Sequence, residues 1–207
     1  MAIDCVVFDL GNVLVPWDRR FLFEKLIEDA AELDHFLDEI LTLDINADLD
    51  RGVPLEKVTA ELSARHPEHA DLIDAFRLRW PETLGPIIEE SVAILVELTT
   101  LPVTLLALSN WGKDTFAVAE PHLPFLRHFE GLVISGREGV VKPDPAIFEL
   151  LCRCHDVTPE RTVFIDDSAV NVETAVSLGF EAVHFRSPPQ CRAALVELGL
   201  ALLPSPS

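Results

Sequence analysis

The sequence has little positive charge and no cluster of basic residues. Its 16 lysines and arginines stand against 35 aspartates and glutamates, so the net charge is −19 and the pI is near 4.6. A field of this sign repels nucleic acid and anionic membranes, and we expect neither as a partner. No run approaches the roughly 18 continuous apolar residues that cross a bilayer, and no signal-peptide pattern opens the chain. These absences predict a soluble cytoplasmic protein.

Cysteine and histidine patterns typical of redox or zinc sites are also missing. The four cysteines contain no C-x-x-C spacing, and Cys152 and Cys154 point to different sides of a predicted helix. We interpret them as structural thiols in a reducing compartment. There is no H-E-x-x-H pair, and His66 and His69 flank Pro67 in a predicted loop, so we expect no zinc site.

Apolar residues are abundant, and the first run of them ends in a carboxylate. The chain is 49% hydrophobic and 25% charged, which predicts a folded core rather than disorder. Residues 5–8 contain no alternating polar residue, so we predict a strand buried on both faces. Asp9 follows this strand, and Gly11 and Asn12 tolerate positive φ and a sharp bend. In open α/β folds, ligands bind at this carboxyl edge of the sheet.

The rest of the chain divides by its periodicity. Residues 16–85 have apolar residues at helical spacing and no strand pattern, whereas strands and helices alternate after Pro86. We therefore predict an α/β fold with a Rossmann-like parallel-sheet core of residues 1–15 and 86–207, with helices on both faces. Residues 16–85 would form a small inserted α-helical cap. The proline- and serine-rich tail 203–207 is expected to be frayed.

Individual elements follow from the same patterns. Pro54 is predicted to be the first residue of a helix, and Asp144 to be the N-cap of a helix over 145–155. The other predicted helices after the insertion span 87–99, 112–120, 170–178 and 191–198. The predicted strands of this region span 103–108, 132–134, 162–165 and 182–185.

Three predicted strands end in polar groups at one edge of the sheet: Asp9, Ser109–Asn110 and Asp166–Asp167. Lys142 lies in a loop before the helix at 145–155. Each group has a structural explanation, because the serine, asparagine and second aspartate could be turn or cap residues and the lysine could be exposed. Two adjacent aspartates, however, repel each other unless a cation lies beside them. The joint pattern therefore indicates a functional site.

Such a set of residues can support phosphoryl transfer through a covalent aspartyl intermediate. Asp9 would attack phosphorus in line, and Mg²⁺ held by Asp9, Asp166 and the carbonyl of Gly11 would join it to the phosphate. Ser109 and neighbouring N–H groups would hold phosphate oxygens, while Lys142 would neutralise their charge. A metal and a lysine also explain how so acidic a protein could bind an anion.

Four ordered motifs resemble those of the haloacid dehalogenase superfamily: V-V-F-D-L-G-N-V-L, L-A-L-S-N, V-V-K-P-D and V-F-I-D-D-S. The resemblance covers residues 3–15 and about 87–185, and the helical insertion lies where that family has its type 1 cap. The branch that the chain resembles is that of the α-glucose-1-phosphate phosphatases. The phosphatase domain of soluble epoxide hydrolases is also similar.

The resemblance implies a Mg²⁺-dependent phosphatase that acts on small phosphorylated molecules such as sugar phosphates. It assigns Asp9 as the nucleophile and Ser109, Asn110 and Lys142 to phosphate binding. It assigns Asp166 to the metal, with Asp167 acting through water or as an outer ligand, and these add to the metal ligands Asp9 and Gly11 inferred above.

One position departs from the family pattern. Gly11 stands two residues after the nucleophile, where the common phosphatase pattern has an aspartate that acts as general acid and base. A positioned general acid contributes roughly 10²–10⁴-fold in rate. A phosphatase without it needs a good leaving group, such as the anomeric oxygen of a sugar 1-phosphate, or a proton from water or the cap. Trp17, Asp18 and Arg20 are close in sequence, although packing and surface charge explain them better.

Two other functions fit part of the sequence. A haloacid dehalogenase would use Asp9 to displace halide from carbon without a metal or a general acid, but the pair Asp166–Asp167 is more simply a cation site. A non-catalytic binding protein would keep the fold, yet it would not require the nucleophile, the lysine and the carboxylates. The oligomeric state stays open.

Overall fold

The computed structural model describes residues 2–202, and the tail 203–207 that we expected to be frayed lies outside this range. A five-stranded sheet runs through the molecule in the order β3-β2-β1-β4-β5, and every neighbouring pair is parallel. The sheet confirms the α/β prediction. Its strands are β1 (Cys5–Phe8), β2 (Thr104–Ser109), β3 (Gly131–Ile134), β4 (Thr162–Asp166) and β5 (Glu181–His184).

β1 occupies the centre of the sheet, as its unbroken apolar sequence predicts. All four of its residues are buried, and it pairs with β2 on one side and β4 on the other. The strand order reverses between β1 and β4, because the chain first builds outward to β3 and then returns to the opposite side. The crevice at the carboxyl ends of two such strands is where open α/β sheets bind ligands.

Helical segments fill the chain between β1 and β2. They are α1 (Arg20–Phe23), α2 (Ala30–His35), a π-helical turn (Phe36–Ile40), α3 (Leu43–Asp50), α4 (Leu55–Arg65) and α5 (Ala70–Leu78). α6 (Glu89–Leu98) also precedes β2, and the α-helices after β2 are α7 (Lys113–Ala119), α8 (Ser135–Glu138), α9 (Pro145–His155), α10 (Ala169–Ser177) and α11 (Pro188–Glu197). A helical insertion after the first strand is therefore present, while the boundary of a cap at 16–85 stays a prediction.

Local signals located some helix ends and missed others. Asp144 caps α9 as expected, because its side chain accepts a hydrogen bond from the N–H of Ala146 at 2.9 Å. Pro54 was wrongly predicted to be the first helical residue, since it is the N-cap of α4. The last helix also begins at Pro188 rather than Cys191, because Ser187 caps it and proline suits the first turn.

Apolar side chains cover both faces of the sheet. On one face the core contains Cys5, Val7 and Phe164, packed by α9 and α10. On the other face Val6 and Phe8 join a larger core that continues into the insertion through its buried phenylalanines and leucines. Burial on both faces explains why the strands show no polar alternation.

The insertion is docked against the core near the carboxyl edge of the sheet. The N–H of Leu55, at the start of α4, donates to the carboxylate of Asp114 in α7 at 3.0 Å. The rings of Trp80 and Trp111 lie 5.8 Å apart, which joins the end of the insertion to the loop after β2. The insertion therefore reaches the side of the sheet where β1 and β4 end.

The described residues contain no helix with the length and apolar character needed to cross a bilayer. All four cysteines are free thiols, and Cys5 and Cys191 are buried. Burial raises the pKa of each of these two thiols to about 12. They stay protonated at neutral pH, as expected for structural cysteines.

Candidate active site

Three carboxylates meet where β1 and β4 end. Asp9 follows β1, Asp166 is the last residue of β4, and Asp167 follows it. One oxygen from each carboxylate lies within 4.8 Å of the others, so the three could hold a single cation. All of their ligand atoms are oxygen, which is the donor type that Mg²⁺ prefers. The strand order thus brings together the acidic residues that the motifs singled out.

Lys142 points inward between two of these carboxylates. Its Nζ donates to Oδ2 of Asp166 at 2.6 Å and lies 3.1 Å from Oδ1 of Asp9. It also donates to the carbonyl of Leu108, at 2.8 Å, so all three ammonium hydrogens have an acceptor. Burial alone would lower the pKa of Lys142, but the two aspartates raise it above its usual value. The lysine is therefore a buried group that stays charged at neutral pH.

Asn110 holds the loop that carries this lysine. Its side-chain amide donates to the carbonyl of Lys142 at 2.9 Å and accepts from the N–H of Lys142 at 2.8 Å. Both ends of the amide are occupied by this contact. The phosphate-binding role that the sequence suggests for Asn110 stays a prediction. In the structure its side chain positions the backbone of Lys142.

Asp166 is fixed by donors that the sequence analysis missed in part. The N–H of Ser168 donates to its Oδ1 at 2.8 Å, and the side chain of buried Asn171 donates to both oxygens, at 3.0 and 3.1 Å. Asn171 lies in the first turn of α10, which begins three residues after Asp166. An asparagine five residues after a strand-terminal aspartate was a usable signal for this contact.

Asp9 is held by the backbone beyond its strand and by Lys142. The N–H of Leu10 donates to its Oδ1 at 2.7 Å. Burial raises the pKa of Asp9 to about 7, although Lys142 opposes this shift, and the nearby Asp166 adds to it. Burial also raises the pKa of Asp167. Carboxylates with this surplus of negative charge are suited to a divalent cation.

The backbone bends after β1 at Asn12 rather than at Gly11. Asn12 has a φ of +55°, and its amide donates to Asp167 at 3.1 Å and accepts from the N–H of Trp17 at 3.1 Å. Of the two residues that tolerate a positive φ, Asn12 adopts one and Gly11 does not. A Cβ added at Gly11 would meet no atom within 4 Å. The position is open space beside the carboxylates, and its role as a carbonyl ligand stays a prediction.

A cavity of about 180 Å³ opens onto this cluster. The sheet edge contributes Asp9, Ser109 and Asp167 among its lining residues, and the insertion contributes Asn46, Asp50 and Trp80. Trp17 and Trp111 also line it, so all three tryptophans of the chain surround one cavity. Its volume is below the roughly 300 Å³ at which drug-sized ligand sites begin. The cavity therefore suits a small ligand.

The other two insertion residues considered from sequence lie elsewhere. Asp18 accepts a hydrogen bond from the backbone of Arg20 at 2.8 Å, and Arg20 forms a surface ion pair with Asp34 at 2.5 Å. Neither lines the cavity. Asn46 and Asp50 could not be predicted from sequence, because no motif marks these positions of α3 as part of a site.

A model of the haloacid dehalogenase-like hydrolase family matches residues 3–179 of the chain. D-ribitol-5-phosphate phosphatase from Bacteroides thetaiotaomicron is 26% identical over 189 residues, covering 85% of this chain and 88% of that protein. Acyl-CoA dehydrogenase family member 10 from Mus musculus is 37% identical over 70 residues, or 33% of this chain. That match spans only 6% of the mouse protein.

Solved structures share the fold. A haloacid dehalogenase family enzyme from Bacteroides thetaiotaomicron, in complex with magnesium and inorganic phosphate, has a TM-score of 0.72 at 22% identity, with 89% and 95% of the two chains covered. L-2-haloacid dehalogenase from Xanthobacter autotrophicus, with chloropropionic acid covalently bound, has a TM-score of 0.62 at 18% identity over 97% and 85%. Similarity of fold alone does not distinguish a phosphatase from a dehalogenase. The family model covers most of the chain, however, and the chain belongs to the haloacid dehalogenase-like hydrolases, as its four motifs indicate.

Proposed function

We propose that the protein is a Mg²⁺-dependent phosphatase that acts on small phosphate esters through an aspartyl-phosphate intermediate. The observation that carries this proposal is the buried contact of Lys142 with both Asp9 and Asp166, of which Asp9 lines a cavity suited to small ligands. A relative acts, by its name, on a phosphorylated polyol. Its similarity over most of both chains supports sugar or polyol phosphates as the substrate class.

The cation would be held by Asp9 and Asp166, with Asp167 and the carbonyl of Gly11 as further oxygen ligands. When bound, Mg²⁺ supplies positive charge that makes phosphorus more susceptible to attack. The donor set fits this ion, because every atom offered is a hard oxygen and the three carboxylates otherwise repel one another.

The chain's own groups then divide the work. A carboxylate oxygen of Asp9 attacks phosphorus, forming a covalent intermediate that water later hydrolyses. Lys142 neutralises charge that develops on the phosphate oxygens, and it needs no reorganisation because Asp166 and Leu108 already fix its ammonium. The hydroxyl of Ser109, on the cavity wall, hydrogen-bonds to Asp9 and lowers the pKa of that carboxyl, and it would turn to a phosphate oxygen when the substrate binds.

A dehalogenase reaction is the alternative that the fold allows. It would use Asp9 to displace halide from carbon, and it would have no use for three carboxylates that share one cation site. A binding protein without activity would equally have no need of a buried lysine held against a candidate nucleophile. The acidic cluster therefore favours phosphoryl transfer over both.

The test is hydrolysis of 4-nitrophenyl phosphate by the full chain. We expect turnover with Mg²⁺, its complete loss in EDTA, and its loss in Asp9→Asn without a large change in melting temperature. Asp4→Asn is the matched control, because Asp4 precedes β1 and pairs with Arg161 on the surface at 2.6 Å. Full activity of Asp9→Asn would contradict the proposal. EDTA-insensitive halide release from a 2-haloacid would support the dehalogenase instead.

A further inference from the structure

The proposed phosphatase reaction needs a proton for the leaving oxygen, and Gly11 cannot supply it. Among the residues that line the cavity, the acidic groups are Asp9, Asp50 and Asp167. Asp9 and Asp167 belong to the cluster that would hold the cation. Asp50 lies outside this cluster, at the end of α3 in the insertion. It is therefore the one lining carboxyl group that is free for proton transfer.

The structure holds Asp50 firmly beside the cavity. Its Oδ2 accepts a hydrogen bond at 3.1 Å from the side chain of Asn46, one turn earlier in the same helix. Gly52, two residues later, has a φ of +91°, and a Cβ there would lie 2.8 Å from the carbonyl oxygen of Gly136 in α8. Only glycine permits this close approach of the insertion to the core. The contact fixes the helix end that carries Asp50.

The surroundings of Asp50 favour its protonated form. Burial raises the pKa of Asp50 to about 7, against the charges of Lys142 and Arg51 and the N–H of Gly112, all of which favour the carboxylate. A carboxylic acid with a pKa near neutrality retains a proton that it can donate, and it can regain that proton within one cycle. Asp48, two residues earlier in the same helix, is by contrast exposed and lies 3.8 Å from Arg51.

We propose that Asp50 is the general acid and base of the phosphatase reaction, in place of an aspartate at Gly11. This proposal rests on the proposed function. As Asp9 bonds to phosphorus, the bond between phosphorus and the ester oxygen breaks, and its electron pair stays on that oxygen. The oxygen takes the proton of Asp50 and leaves as an alcohol, which leaves an aspartyl phosphate and an Asp50 carboxylate.

The second half of the cycle restores both residues. A water molecule attacks phosphorus and gives a proton to the Asp50 carboxylate. The bond between Asp9 and phosphorus breaks, its electron pair returns to Asp9, and inorganic phosphate is released. One ester and one water thus become one alcohol and one phosphate, with no proton left over.

The experiment compares two substrates that differ in their need for a proton. The leaving group of 2,4-dinitrophenyl phosphate departs unprotonated, whereas that of phenyl phosphate benefits from an acid. We measure kcat/KM with Mg²⁺ for the wild type, Asp50→Asn and Asp48→Asn. We expect Asp50→Asn to lose roughly 10²–10⁴-fold on phenyl phosphate and less than about tenfold on the activated ester. Asp48→Asn, which removes the same charge from the same helix, should match the wild type on both.

Each outcome bears on one of the two proposals. Equal losses on both esters, or no loss on either, would overturn the role of Asp50 while leaving the phosphatase intact. A wild type that hydrolyses neither ester would instead overturn the phosphatase, and the role of Asp50 with it. Should Asp50→Asn not fold, the wild type can still be tested with a series of aryl phosphates whose phenol leaving groups have rising pKa. If an acid protonates the leaving oxygen, kcat/KM should change little along this series. A steep fall along that series would mean that no acid is present.

Discussion

The edge of the sheet and the helical insertion contribute to the same cavity in different ways. At the edge, side chains follow directly from strand ends and are fixed by nearby N–H groups, as Asp9 is by Leu10 and Asp166 is by Ser168. In the insertion, Asp50 reaches the cavity only because its helix docks on α8 through Gly52. The groups that we propose bind the cation and attack phosphorus lie at the strand ends of a rigid sheet, whereas the proposed proton donor depends on tertiary packing.

The two regions also treat the same residue type differently. Asp166 is buried, but it is compensated by Lys142 and by both amide contacts of Asn171. Asp50 is less completely compensated, and burial raises its pKa to about 7. A buried carboxylate that an ammonium and an amide hold in place is suited to a cation site, and a carboxyl group with a pKa near neutrality can donate a proton. Burial raises the pKa of Asp9 at the edge to about 7 as well. Contact with Lys142 and membership of the carboxylate cluster, rather than the pKa alone, therefore separate the two roles.

The largest expected effect concerns the charge balance of the edge. Lys142→Met leaves Asp9 and Asp166 buried together without the ammonium group that lies between them. We therefore expect the free energy of unfolding, measured in EDTA, to fall by about 3–5 kcal/mol. Urea denaturation monitored by circular dichroism measures it. Lys57→Met, at an exposed lysine beside Glu61, is the control and should change stability by less than about 0.5 kcal/mol. A loss below about 1 kcal/mol for Lys142→Met would mean that the ammonium is not needed to balance the edge.

Metal binding should distinguish the edge from the insertion. Mg²⁺ at a hundred times its dissociation constant is expected to stabilise the wild type by about 2.7 kcal/mol, because it binds only the folded state. Asp166→Asn should abolish this gain, and Asp50→Asn should retain it. Thermal denaturation with and without Mg²⁺ measures both. A gain that survives Asp166→Asn would move the cation site away from the end of β4.

The site residues at the carboxyl edge of the sheet could be predicted from sequence, because each lies next to the strand that positions it. An unbroken apolar strand, a following carboxylate and an adjacent aspartate pair were enough to anticipate that Asp9 and Asp166 would meet, once the sheet was taken as parallel. Asn171 was missed although its spacing was readable. Asp50 was beyond reach, because amphipathic periodicity shows which face of a helix is buried but not which neighbour it meets. The surface charge that the sequence favoured for Arg20 agrees with its exposed ion pair with Asp34.

The pH dependence of the free energy of unfolding should show how much stability is lost by burying the carboxylate of Asp50. Its pKa rises from an ordinary 3.8 to about 7 in the folded protein, so the unfolded chain releases this proton first. The group therefore lowers stability as pH rises from about 4 to 7, and the loss is constant above that range. Removing the charge in Asp50→Asn should raise stability at pH 8 relative to Asp48→Asn, by on the order of 2 kcal/mol. Urea denaturation at pH 5 and pH 8 tests this, and an equal difference at both values would contradict it.

The smallest expected effect comes from placing an acid at the edge itself. The space around Gly11 admits a Cβ without contact within 4 Å, and its φ is outside the left-handed region, so Gly11→Asp should fold. In the wild-type background the insertion already provides a proton donor, and kcat/KM on phenyl phosphate should change by less than about threefold. In the Asp50→Asn background the new carboxyl group has a function to restore, and we expect a gain of roughly tenfold, within the range that a positioned acid contributes. A similar gain in both backgrounds would mean that the two positions act independently, and that proton donation at this site does not come from the insertion.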